Sequence, residues 1–286
     1  MKSKAWTEKF MQGVFFIAAC ASVLAVALIC IFLFANGIPA MKEIGFVKFL
    51  TGTLWRPKNE IFGIFPMIVG SLYVTAGAII IGVPIGILTA VFMAYYCPER
   101  IYKPLKAATE LLAGIPSVVY GLVGMQVLVP GIRKLFLVPD GASLLAAIIV
   151  LAIMILPSII KVSMTSLEAV PKEYEDASLA LGATPVETYF RVSVPAAKSG
   201  IAAAVVLGVG RAIGEAMAVM MVSGNVPNMP ELFQSVRFLT TAVASEMSYS
   251  SGLQRQALFS IALVLFLFIM LINATLNFFL KRDKEA

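Results

Sequence analysis

Long apolar runs separated by short polar stretches set the rhythm of this chain. Six segments stand out, at roughly 10–34, 64–96, 105–130, 142–164, 201–223 and 257–280. A helix needs about 20 apolar residues to cross about 30 Å of hydrocarbon, so each segment predicts a membrane-spanning helix. The fold class that follows is an all-α membrane protein with about six transmembrane helices. The second segment is longer than a span requires, which predicts a tilted or projecting helix. Pro84, Pro116 and Pro157 fall inside spans, where neighbouring helices re-satisfy the carbonyls that proline frees. The first run, Phe10 to Phe34, is too long for a signal-peptide core and reads as an uncleaved span.

Composition supports this class. The 286 residues are 60% hydrophobic and 13% charged, with a mean hydropathy of +0.93; a soluble domain is about half apolar. The net charge of +6 fits loop cations facing anionic lipid headgroups, and no aromatic-rich basic loop points to nucleic acid. With the N-terminus inside, 13 basic residues fall on the inner side and 8 on the outer, Arg211 being the last of 22. That asymmetry predicts both termini in the cytosol. Histidine is absent, which removes the commonest metal ligand and acid–base group. Cys20 and Cys30 share one predicted helix, about 15 Å apart by helical rise, and cannot bridge. Cys97 sits at a span end. No disulfide, metal site or bound cofactor is expected.

Two loops are long. The outer one runs from about Val226 to Gln256, carries two prolines and has an amphipathic pattern. The inner one, from about Thr165 to Ser199, is more informative. Pro171 followed by Lys-Glu-Tyr-Glu-Asp suits a helix start, with acids near the positive end of the helix dipole. Gly182 suits the stop. Thr184-Pro185-Val186-Glu187 has the form of a capping box, and Pro195 closes the second helix. Leu179, Leu181 and Ala183 are expected to be exposed near the bend. A solvated connector and a docking element both fit this pattern; the apolar bend favours docking.

The fifth segment carries Arg211 and Glu215. Charge in hydrocarbon costs several kcal/mol. Four residues apart in a helix, the two share a face and can partly neutralise each other. Gly210 and Gly214 form a small-xxx-small pair that lets another helix approach, so this face should look into an interface or a pore. Two readings remain. One is a structural ion pair. The other is an anion-handling site, in which the guanidinium fork matches phosphate oxygens and Glu215 holds the arginine and tempers affinity so that the ion leaves. Glu110, near the start of the third span, reads as a boundary residue. No Gly-x-x-x-x-Gly-Lys-Ser/Thr loop occurs, so any ATP is bound by another subunit.

Two sets of motifs carry a resemblance. Asp176-Ala177-Ser178, three residues, Gly182, nine residues, then Val192-Ser193-Val194-Pro195 resembles the EAA loop of ABC importer permeases, with Asp for Glu, Ser for the second Ala, and valines for Ile and Leu. The stretches LLAGIPSVVYGLVG at 111–124, LAIMILPSIIKVS at 151–163 and GRAIGEAMAVMMVSGN at 210–225 resemble the PstC family of phosphate-specific permeases. Ala216 stands where that family often has Thr. The resemblance runs from about residue 61 to the C-terminus. It implies a type I ABC importer permease fold in the bacterial inner membrane. It also implies a PstA-like permease partner, two PstB-like ATPases and a PstS-like external phosphate-binding protein. It assigns Arg211 and Glu215 to the anion path and Asp176, Ala177, Ser178, Gly182 and Pro195 to the loop that couples to the ATPase. Residues 1–60 then form a first helix and outer loop, and 61–281 the permease core with its coupling loop at 165–199. Permeases for other oxyanions or phosphonates share these features. A lipid-phosphate enzyme would want histidines or a second arginine, and a channel or ion-coupled carrier would not need the docking loop.

Overall fold

The computed structural model describes residues 2–285, with side chains for 8–275 and for Phe278. The side chains of Lys2, Lys4, Lys281, Arg282 and Lys284, part of the inner basic set, lie outside the described residues. Among the described residues fourteen α-helices follow one another. They are α1 (Lys2–Ile44), α2 (Phe46–Thr51), α3 (Phe65–Val91), α4 (Glu99–Gly114), α5 (Ser117–Val123), α6 (Val129–Phe136) and α7 (Leu144–Glu168), then α8 (Lys172–Ala180), α9 (Pro185–Thr188), α10 (Val194–Ala196), α11 (Lys198–Gly214), α12 (Met217–Val222), α13 (Leu239–Glu246) and α14 (Gly252–Glu285). One short hairpin, β1 (Trp55–Arg56) and β2 (Ile61–Phe62), pairs Trp55 with Phe62.

Five stretches are long and apolar enough to cross a membrane: Glu8–Ile44, Phe65–Tyr96, Ser117–Phe136, Leu144–Glu168 and Gly252–Thr275. Among the described residues a further pair of helices, Pro185–Ala196 and Lys198–Gly214, is bent by 70° and makes a sixth span where the two are taken together. Two expected spans are corrected. The third begins at Ser117, not near 105, because Ile115 is extended before Pro116, as a residue preceding proline prefers. The residues before it form α4, a separate helix with no buried residue in this chain. The fifth segment, 201–223, is not one helix: α11 stops at Gly214 and α12 starts at Met217.

Helix α7 is the axis of the core. Three isoleucines on it, Ile148, Ile155 and Ile159, meet Gly77, Gly82 and Gly86 of α3, where an added Cβ would lie 2.7 Å from each side chain. Ile159 also fills the space beside Gly208 of α11, at 3.0 Å from a Cβ placed there. Apolar transfer gives helices no drive to associate in lipid, so such close backbone approach supplies the packing. Within this chain the small-xxx-small approach is made by Gly82 and Gly86, while a Cβ beside Gly210 or Gly214 would meet nothing within 4 Å, so the face those two form is open.

The outer loop is a folded cap. It supplies the carbonyls of Gln234 and Leu232 to the N–H groups of Leu144 and Leu145, and the end of α12 supplies that of Val222 to Ser143, at 2.9–3.1 Å, satisfying the otherwise orphaned start of α7. Helix α13 follows, with Leu239 and Ala242 buried. A cluster of Met41, Phe49 and Trp55 with Met67, Leu239 and Leu258 joins the first outer segment to the rest. The Glu246 carboxylate ties it further, accepting from Arg237, from Trp55 Nε1 at 3.2 Å and from Gln254 Nε2 at 3.0 Å. Residues 8–30 of α1 are nearly all exposed; its later part packs on α14, where Ser260 Oγ donates to the Gly37 carbonyl at 2.6 Å.

Candidate functional site

The break between α11 and α12 places the two intramembrane charges. Gly214 ends α11 and Glu215 is extended, with φ −73° and ψ 127°. An i, i+4 pair needs helical backbone between its members, and here it is lost. No ion pair joins Arg211 to Glu215 among the described residues, so the expected mutual neutralisation is corrected. Instead, Glu215 Oε1 accepts from the Ala218 N–H at 3.0 Å, at the start of α12, where the helix dipole favours an anion. The Glu215 carbonyl, left without a helical donor, accepts from Thr240 Oγ1 at 3.0 Å.

Arg211 goes the other way. It is half-buried, and its Nη1 donates to Ser158 Oγ at 3.3 Å. Tyr120 lies within electrostatic reach of the guanidinium, and its hydroxyl donates to the Leu112 carbonyl at 2.7 Å, across the Ile115–Pro116 kink. Gly210 and Gly214 on either side of Arg211 open onto space this chain does not fill. The guanidinium therefore keeps donors unspent beside an open face, with no carboxylate within 4 Å among the described residues. A nearby groove of about 810 Å³ between α5, α6 and α7 is lined by apolar side chains such as Val119, Val127, Leu135 and Ile149; it suits a lipid tail or a helix, not an anion. Glu110 is exposed and shares a smaller cavity of about 130 Å³ with Thr109 and Lys161.

The inner loop folds much as its punctuation indicates. Helix α8 carries Glu173 and Glu175 in its first turn. Gly182 has φ +90°, a conformation that favours glycine. The capping box forms: Thr184 Oγ1 accepts from the Glu187 N–H at 3.3 Å, and Glu187 Oε2 accepts from the Thr184 N–H at 3.0 Å. The Thr184 N–H and hydroxyl, both donating to Glu187 Oε2, hold the Glu187 carboxyl below the usual glutamate range. Leu181 is 90% exposed and Leu179 43%, while Ala183 is half-buried. Asp176, Ala177 and Pro195 are also exposed. One point is corrected: Pro195 does not close the second helix. It sits at the start of α10, and the 70° bend comes after Ala196.

Thr188 and Tyr189, not anticipated from the sequence, help hold the loop together and tie it to the end of α3. Ser178 and Thr188 hydroxyls meet at 3.0 Å, and Ser193 Oγ donates to Glu175 Oε1 at 3.0 Å. Tyr189 stacks on Tyr95, with centroids 4.1 Å apart, and meets Tyr96 edge-on at 5.3 Å. Both partners lie in the π-turn that ends α3. Ser158 and Thr240 were equally unanticipated; a lone serine after Pro157 in an apolar span was the one available signal.

The family described as "Binding-protein-dependent transport system inner membrane component" matches residues 82–282. This chain belongs to that family. It is thus a permease, a transport subunit of the inner membrane and not an enzyme. The permease is 41% identical over 276 residues to the "Probable ABC transporter permease protein YqgH" of Bacillus subtilis, covering 92% of this chain and 89% of that protein. It is 36% identical to the "Phosphate transport system permease protein PstC" of Mesorhizobium japonicum, over 89% and 84% of the two chains. A relative in Methanocaldococcus jannaschii, named a probable phosphate transport system permease protein PstC, is 31% identical over 89% and 87%. Among solved structures, a bacterial ABC transporter that imports alginate aligns with a TM-score of 0.66 at 12% identity, over 93% of this permease and 96% of that chain. The inward-facing MetNI methionine transporter aligns at 0.60 and 18% identity, over 80% and 99%. The permease fold is that of type I ABC importers, whose subunits work with a separate ATPase and an external binding protein.

Proposed function

We propose that this permease forms part of the path for inorganic phosphate in an ATP-driven importer, with Arg211 contacting the anion. The observation that carries the proposal is the break at Glu215. It removes the carboxylate from Arg211 and leaves a guanidinium that donates to Ser158, with no carboxylate within 4 Å among the described residues, beside an open face. A planar fork of donors suits a tetrahedral oxyanion, and an unpaired one binds it without first releasing a carboxylate. Relatives named for phosphate transport support the choice of anion.

The remaining parts follow the same reading. A PstA-like permease completes the pore, two PstB-like ATPases receive the loop at 165–199, and a PstS-like protein delivers phosphate from outside. Asp176, Ala177, Ser178 and Gly182 present the exposed Leu181 to an ATPase groove; Pro195 precedes the bend that turns this element into α11. Both termini lie in the cytosol, residues 1–60 form a first spanning helix and outer loop, and ATP-driven closure moves the loop and the spans behind it.

The test is phosphate uptake normalised to assembled complex. Glu215 keeps its own donor at Ala218, so Arg211→Ala strands no buried acid. It should assemble normally and lose uptake. Arg211→Lys should rescue poorly, because an ammonium lacks the fork. Uptake by assembled Arg211→Ala at the wild-type rate overturns the proposal.

A further inference from the structure

The break that frees Arg211 has to be maintained. Unwinding a helix inside the membrane leaves carbonyls without donors, at a cost that water cannot offset there. In an unbroken helix the Glu215 carbonyl would accept from the N–H four residues on. Here the Thr240 hydroxyl takes that role at 3.0 Å. Thr240 is buried at 9% exposure and sits in the first turn of α13, in the outer cap. The cap is itself fixed: the Leu239 N–H donates to Ser71 Oγ of α3 at 3.0 Å, and Arg237 pairs with Glu246. Behind the break, Ser71, Thr75, Glu215 and Thr240 line a void of only about 10 Å³. The Thr75 hydroxyl is buried there with no partner among the described residues, so this side of the break offers Glu215 no space to move into.

We propose that Thr240 is a positioning residue of the anion path: its hydroxyl replaces the helical donor of Glu215, keeps α11 ended at Gly214, and so keeps the Glu215 carboxylate away from Arg211. This rests on reading Arg211 as the contact for the anion. Without the Thr240 hydroxyl, the Glu215 carbonyl regains a donor by rewinding the helix. Rewinding returns Glu215 to the i+4 position of Arg211, where the two pair and the anion must compete with a carboxylate. The clamp comes from the external face, so displacement of α13 from outside would act on Arg211 through the same bond.

The experiment uses the full importer complex, with inorganic phosphate as the probe. Thr240→Val keeps shape and loses the donor; it should raise the KM for phosphate about fivefold, the scale of one net hydrogen bond. Thr240→Ser keeps the hydroxyl and should hold KM near wild type, which a purely steric role for the side chain would not give. In a Glu215→Gln background Thr240→Val should shift KM no further, because an amide still accepts from Ala218 but cannot neutralise Arg211. A structure of the Thr240→Val complex gives a readout independent of transport: α11 should run on past Gly214 with Glu215 near Arg211. If α11 still ends at Gly214 and Glu215 still accepts from Ala218, or if KM is unchanged, the Thr240 inference is overturned. Arg211→Ala separates the two failures. Normal uptake by that variant removes the anion site and leaves the structural result to decide on the clamp; lost uptake with an unchanged Thr240→Val removes the clamp alone.

Discussion

The cytosolic loop and the break at Glu215 both interrupt helices, and they do so by different means. In the loop the bonds are near in sequence. Thr184 and Glu187 are 3 residues apart, Ser178 and Thr188 10, Ser193 and Glu175 18. At the break one bond is local, Glu215 to Ala218 across 3 residues, and the rest are distant: Thr240 reaches Glu215 across 25 residues, Arg211 reaches Ser158 across 53, and the cap reaches Ser71 across 168. A loop in water keeps its shape through its own caps, since any group left over is hydrated. A break in the membrane has no water to fall back on and is defined by what other elements bring to it. The loop should therefore respond to local substitutions, and the break to remote ones.

The largest effect tests that contrast within α11. Gly208→Leu should cut the amount of assembled permease severely, because even a Cβ there lies 3.0 Å from Ile159 and overpacking a tight contact costs about 1–3 kcal/mol or more. Gly210→Leu meets nothing within 4 Å in this chain and should leave the isolated permease in the membrane at normal levels. Membrane yield measured on both variants decides; equal losses would mean that α11 is not held by α7 alone.

Next in size is the helix stop at Gly182. Its φ of +90° penalises a side chain by roughly 1–2 kcal/mol. Gly182→Glu also sets a charge beside the exposed Leu181 and Leu179. Membrane insertion should survive while co-purification of the ATPase drops about tenfold. Undiminished co-purification would mean that docking does not depend on this bend. A smaller effect is expected at Tyr189. Removing the stacked ring forfeits about 0.5–1.5 kcal/mol, so Tyr189→Ala should slow uptake several-fold at normal ATPase association, and Tyr189→Phe should not. Tyr189→Ala with full uptake would show that the loop does not act on α3 through Tyr95.

The same contrast explains what was legible in the sequence. Hydropathy located the spans because lipid reads average polarity over about 20 residues. The capping box at Thr184, the stop at Gly182 and the exposed Leu181 were legible because each is decided within a few residues. The third span lies further along than hydropathy places it, because hydropathy does not register that Pro116 divides α4 from the stretch that spans. The Arg211–Glu215 spacing was read as a pair because helical geometry was assumed to continue. Nothing within four residues of Glu215 announces the Thr240 hydroxyl that ends it. The close approach at Gly82 and Gly86 is legible only once Ile155 and Ile159 are in view, since a small residue permits contact without naming its partner.

The smallest expected effect concerns pH and the capping box. Glu187 is held below the usual glutamate range, first by the Thr184 N–H and then by its hydroxyl. A carboxyl whose value is depressed by folding stabilises the fold above its unfolded value and loses that contribution as pH falls through its folded value. Local order in the loop should therefore stay level from pH 7 to about 5, since both values lie below that window, and decline only in stronger acid. Thr184→Ala removes the hydroxyl but keeps the backbone N–H, so it should move that decline part of the way back toward the ordinary value and weaken the α9 start by about 1 kcal/mol. Amide hydrogen exchange of residues 184–189, corrected for the intrinsic pH dependence of exchange, measures both. Loss of protection already between pH 7 and 5 would assign the loop's order to some group other than Glu187.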